Sequence, residues 1–241
     1  MTISRRSAVL AAGVITLLFA VTGCMGGSAP TMSTPPSPST SPMASPSPTA
    51  EPVDPLSTVE GLVARPSELE LRAGGGTVVA RLDYMSVPDD SVTTLTKVFG
   101  SPPVDDPYEG TNHTPPGVFH RWDQFVLDER FYDEGRRQAE GYDFVVWPRF
   151  AVYFDGPAAR GIVLSTSSGL QAGQPWTSAE EDPGFDGDLW TCTGTSVEVA
   201  PTAVPSTWTG PDRVNVIVVP TDDRTTVKWI GAPEMEADGC A

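Results

Sequence analysis

Residues 25–55 hold nine prolines and eleven serines or threonines, with almost no large apolar side chain. Such a stretch cannot bury enough surface to offset its conformational entropy. Any fold in this chain is therefore confined to the residues C-terminal to it. Residues 56–241 are long enough for one domain of about 185 residues, or for two small halves. The proline-rich stretch itself is a semi-extended tether, reaching up to ~3.1 Å per residue, on the order of 90 Å in all. Its Ser/Thr-Pro composition permits O-glycosylation; the alternative is an unmodified spacer.

The N-terminus says what the tether is attached to. Arg5 and Arg6 precede a charge-free apolar run over residues 8–22, short for a membrane span but suited to a signal peptide core. The run ends in Val21-Thr22-Gly23-Cys24. This ending resembles a bacterial lipobox, with Val21 in place of the commoner Leu. The resemblance covers residues 1–24. It implies that residues 1–23 are removed and that Cys24 becomes a lipidated first residue. Residues 24–55 are then the lipidated cysteine and its tether, and residues 56–241 an extracytoplasmic domain on the cell membrane. An ordinary secretory signal or an uncleaved anchor is the other reading. The Arg pair also resembles a twin-arginine export signal, although Ala8 stands where a bulky apolar residue is usual; the general secretory route is the favoured expectation.

Charge narrows the partners. Cleavage before Cys24 leaves 13 basic and 31 acidic residues, a net charge of −18. That opposes nucleic acid binding and a polybasic grip on anionic lipid, so membrane attachment rests on acyl chains. Arginine outnumbers lysine 13 to 2. With the lipobox, tether and late cysteine pair, this layout resembles the small lipoproteins of high-GC Gram-positive bacteria. Cys192 and Cys240 remain as an even pair in an oxidising compartment, so a disulfide is expected. It would close a loop of about 49 residues and stabilise by roughly 4 kcal/mol. Two free thiols or a metal pair is the alternative.

The domain's periodicity is mostly β. Residues 77–84 alternate, as do 118–128, where Phe119, Phe125 and Leu127 fall on one face and Val118, Trp122 and Val126 on the other. Residues 142–154 are apolar with a break at Pro148, and 162–166, 196–200, 213–219 and 225–230 follow as strands. The last two flank a turn at Thr221-Asp222-Asp223-Arg224. Ser91 is placed to cap a short helix through Phe99, stopped by Gly100 and Pro102. The fold class expected is mainly β (α+β): antiparallel sheet with one or two short helices. Residues 149–154 followed by Arg160 echo residues 213–218 followed by Arg224 at a constant offset of 64. Two related β-hairpin halves would explain the echo, and so would chance.

No motif names a reaction. Gly-x-Ser-x-Gly and Ser-x-x-Lys are absent. Gly74-Gly75-Gly76 lacks the lysine and helix of a phosphate loop and is expected to be a turn. His113 and His120 are the only histidines, without zinc-ligand spacing. Asp182-Pro183-Gly184-Phe185-Asp186-Gly187-Asp188 is the best calcium candidate, but it lacks EF-hand order and equally suits a turn. Asp89-Asp90, Asp105-Asp106 and Asp222-Asp223 read as turn residues. Six tryptophans (122, 147, 176, 190, 208 and 229) would fill a sheet core, or serve a glycan or partner surface if exposed. No cofactor is expected. The leading expectation is a non-enzymatic binding module for an envelope protein or glycan; the runner-up is an envelope hydrolase using an Asp/Glu acid–base pair.

Overall fold

The computed structural model describes residues 53–111, 115–132, 148–190, 193–201 and 213–235. Chain order runs β1 (Val59–Ala64), β2 (Glu68–Ala73), β3 (Val78–Asp83), α1 (Pro88–Phe99), β4 (Val104–Tyr108), β5 (Gly117–Trp122) and β6 (Phe125–Arg130). It continues with β7 (Phe150–Phe154), β8 (Ala158–Ala159), β9 (Ile162–Thr166), α2 (Trp176–Glu180), β10 (Asp186–Trp190), β11 (Thr195–Pro201), β12 (Arg213–Pro220) and β13 (Val227–Met235). These strands build two sheets, one in the order β3-β2-β1-β9-β8 and one in the order β10-β11-β12-β13-β7-β6-β5-β4. All pairings are antiparallel except β1 with β9. The mainly β class expected from the alternation is what the chain adopts.

Period-two burial explains the layering. On β2, Leu69 and Leu71 enter the core while Glu68, Glu70 and Arg72 take the outer face. Leu62, Leu82 and Leu164 of the small sheet join Trp122, Phe125, Leu127, Phe150, Val152, Phe154, Val216, Val218 and Ile230 of the large sheet in one apolar cluster. Three glycines turn β2 into β3, and Gly75 and Gly76 sit at φ 74° and 83°, a region L side chains avoid. Helix α1 adds Leu95 and Phe99 to the core, with Phe99 stacked 5.4 Å from Trp122.

Several expectations need correction. α1 starts at Pro88, and Ser91 is buried inside it. Proline is pre-organised for the first helical position. Asp89 and Asp90 then fill the first turn, where the helix dipole favours carboxylates, and are not turn residues. Residues 118–128 are two strands. A tight turn at Asp123 (φ 59°) and Gln124 returns the chain and resets the alternation, so Trp122, Phe125 and Leu127 share the core face while Phe119 and Val126 lie opposite. Asp105 and Asp106 belong to edge strand β4, where Pro107 is tolerated because no further described strand needs its N–H. The 64-residue echo is not a pair of hairpins. β12 pairs with the β13 that follows it, whereas β7 leads to β8 in the other sheet, and β7 and β12 both flank β13. The expectation at 142–147 lies outside the described residues.

Candidate functional site

A groove of about 520 Å³ runs along β11, lined by Ser167, Ser168, Asp182, Pro183, Gly184, Asp186 and residues 197–199. Three segments build it. Ser167 and Ser168 follow β9; the 182–184 turn follows α2; Val197, Glu198 and Val199 come from β11. Asp182 organises its own turn, since Oδ1 accepts the Gly184 N–H at 2.8 Å and Oδ2 accepts the Ser168 hydroxyl. Ser168 Oγ also meets Thr166 Oγ1 at 2.8 Å. A Cβ on Gly184 would lie 1.8 Å from the Val197 carbonyl oxygen, so only glycine lets the turn seat against β11. Phe185 then packs edge-on to Trp176, with ring centres 6.0 Å apart, fixing the turn to the core. Opposite, Glu198 accepts the Ser167 hydroxyl at 2.5 Å and pairs with Arg65 at 2.8 Å.

Both carboxylates are thus held in place with lone pairs to spare. Asp182 acts here as a turn residue through Ser168 and Gly184. Among the described residues, no three His, Cys, Asp or Glu side chains gather as a metal site. Among the described residues, the lining contains no histidine or cysteine.

A second cluster surrounds His120, which is 8 % exposed. Its Nδ1 meets Asp105 Oδ1 at 2.7 Å and its Nε2 meets Glu129 Oε2 at 2.9 Å. Each ring nitrogen thus faces a carboxylate oxygen within hydrogen-bond distance. The ring sits beside Trp122 at the margin of the core, a satisfied structural histidine.

The third cluster crosses the outer face of the large sheet. Tyr108 donates to Asp128 at 2.7 Å, Arg130 donates to the same carboxylate at 2.9 Å, and Arg130 reaches the Tyr153 hydroxyl at 3.1 Å. Burial raises the Tyr108 phenol well above its usual range, and the bond to Asp128 adds to this. Burial likewise lifts Tyr153 to about 12, against the opposing pull of Arg130. For Arg130 burial works toward deprotonation, but Tyr153 and Asp128 outweigh it and the net shift is upward. Glu234, held by Thr193 at 2.7 Å, is raised by burial. Phe119 stacks on Tyr108 at 4.6 Å, and the Arg121 guanidinium lies 5.1 Å from the Phe119 centroid. Two Gly–Tyr cross-strand pairs make room for these rings. A Cβ on Gly117 would meet Glu129 O at 2.1 Å and Tyr108 Oη at 2.5 Å, and one on Gly231 would meet Trp229 at 2.7 Å.

Of the residues singled out by sequence, Cys24, Cys192, Cys240, His113, Trp147 and Trp208 lie outside the described residues. Trp122 and Trp176 are core and Trp229 is half-buried. Sequence reasoning found Asp182 and Asp186 but missed Arg65, Ser167, Ser168 and Glu198, which carry no motif and meet only through the sheets. No family model matches the chain, and no curated protein or solved structure matches it.

Proposed function

We propose that this protein is a lipid-anchored extracytoplasmic binding module, held to the membrane through Cys24 and extended on the 24–55 tether toward an envelope protein or glycan. The observation that carries this reading is the groove. It is an open groove of about 520 Å³, and its polar groups are oriented by mutual hydrogen bonds, each lining serine donating to a carboxylate. Such a surface suits holding a partner better than turning over a substrate. The Cys192–Cys240 disulfide is part of the same reading, as a brace for an exported domain.

Asp182 and Glu198 line one groove, and this favours a second reading, a hydrolase using the two as acid and base. The test is a pull-down from envelope extract with the detergent-solubilised full chain as bait. A saturable partner supports the module. No partner, together with turnover of an envelope polymer that Asp182→Asn abolishes, supports the hydrolase. Two further outcomes check the anchor and the brace. Cys24→Ala releases the chain from the membrane fraction, and non-reducing peptide mapping links Cys192 to Cys240. Retention of that variant contradicts the anchor, and alkylation of both thiols without reduction contradicts the disulfide.

A further inference from the structure

We infer that the groove receives an extended, lysine- or arginine-bearing segment of a partner protein, which adds as a strand beside β11. The inference rests on the binding-module reading and names the partner's chemistry.

The first observation is an incomplete ladder. Among the described residues, β10 pairs with β11 at Thr195 and Ser196, whereas β12 pairs with β11 from Thr195 to Pro201. Among the described residues, no strand pairs with the β10-facing side of residues 198–200. In an antiparallel strand, alternate residues aim N–H and C=O away from a given neighbour. This stretch therefore offers backbone hydrogen bonds sideways, as in strand addition to a sheet edge. The groove lies along this stretch, and Val199 in its wall is 38 % exposed.

The second observation is charge. Among the described residues, the ionisable side chains in the lining are Asp182, Asp186 and Glu198, all carboxylates, in a chain of formal charge −16. Arg65, paired to Glu198 from outside the lining, is shared with Glu70 at 4.0 Å. An anionic ligand meets repulsion here. A cationic side chain of an added strand meets preset acceptors, Asp182 fixed by Ser168 and Gly184, Glu198 fixed by Ser167 and Arg65. A strand's alternation would send every second side chain toward these carboxylates and leave the apolar floor at Val197 and Val199 for the rest.

The test uses the full chain in detergent and a fluorescein-labelled heptapeptide of alternating lysine and valine, read by anisotropy. Saturable binding is expected for this peptide and none for its glutamate–valine counterpart. Asp182→Asn should weaken binding about two- to fivefold, the range for one exposed ion pair. Val199→Lys should weaken it by about tenfold or more, because like charge then faces like charge. Far-UV circular dichroism and thermal melts confirm that both variants fold. N-methylation of alternate peptide nitrogens should abolish binding with charge unchanged. Equal binding of the methylated peptide, or binding indifferent to both variants, overturns the inference. A partner captured from envelope extract equally by wild type and both variants overturns the inference and leaves the module reading standing. Failure to bind the peptide or any envelope partner overturns both.

Discussion

On the outer face of the five-stranded sheet, Arg65, Arg72 and Arg81 converge on Glu70 at 4.0, 2.5 and 3.9 Å, and Arg81 also meets Glu68 at 2.8 Å. On the outer face of the eight-stranded sheet, Arg130, Asp128, Tyr108 and Tyr153 form a comparable set of polar contacts. The residue types are alike and the environments differ. The carboxylates at the two centres are equally buried, Glu70 at 8 % and Asp128 at 6 %, but Arg81 keeps 56 % of its side chain in water whereas Arg130 keeps 17 %. In water an ion pair gains little, because solvent screens it and two long side chains lose freedom. Out of water, each member depends on the other to offset desolvation. Loss of Arg81 is thus tolerated, because Glu70 keeps Arg65 and Arg72, whereas Asp128 and Arg130 hold their geometry by mutual need.

The contrast breaks first at Arg130. Arg130→Met keeps the aliphatic stem but leaves Asp128 buried without its cation, and should destabilise by roughly 3–5 kcal/mol in urea unfolding; a loss below that of an exposed pair would erase the distinction. Next is Gly117→Ala. Its Cβ would strike the Glu129 carbonyl, which cannot rotate away, so a loss of about 1–3 kcal/mol is expected, and full stability would mean the Tyr108–Gly117 packing is looser than described.

Glu234 sharpens the comparison through pH. Burial raises its carboxyl, so the native state holds this proton to higher pH than the unfolded chain does. Below the unfolded value of about 4.3 both states are protonated and the shift has no effect on stability. As pH rises through the unfolded and then the folded value, the native state loses stability relative to the unfolded one. Glu234→Gln keeps an acceptor for Thr193 and removes this loss, so the variant should gain on wild type between pH 4 and neutrality in parallel denaturation curves. A constant difference across that interval would contradict the assignment. The smallest effect belongs to Arg81→Ala, where the arginine is exposed and Glu70 keeps two other partners, below about 1 kcal/mol and shrinking with salt; a larger, salt-insensitive loss would show the Arg81 contact to be structural.

Legibility followed the range of the interactions. β3, β9 and β12 were readable because their alternation is local, and the turn at residues 221–224 because Asp223 accepts from both Thr221 and Thr225. The β5–β6 hairpin was not, because a two-residue turn resets parity without glycine or proline, Asp123 supplying the positive φ. β4 and β10 were hidden by Asp, Pro and Gly, residues that usually signal turns. The candidate site was legible only at the Asp182 turn. Its other wall comes from Glu198 and its support from Arg65, distant positions that the sheets bring together and that no spacing announces.

The most direct test of the account compares two exposed valines on the surface. A photocrosslinking residue at position 199, in the groove, is set against one at position 163, 46 % exposed on the small sheet, each in the full chain within intact envelopes. The account predicts a discrete protein adduct from position 199 and none from position 163. Adducts from 163 alone, or indistinguishable patterns from both, would contradict a binding groove along β11.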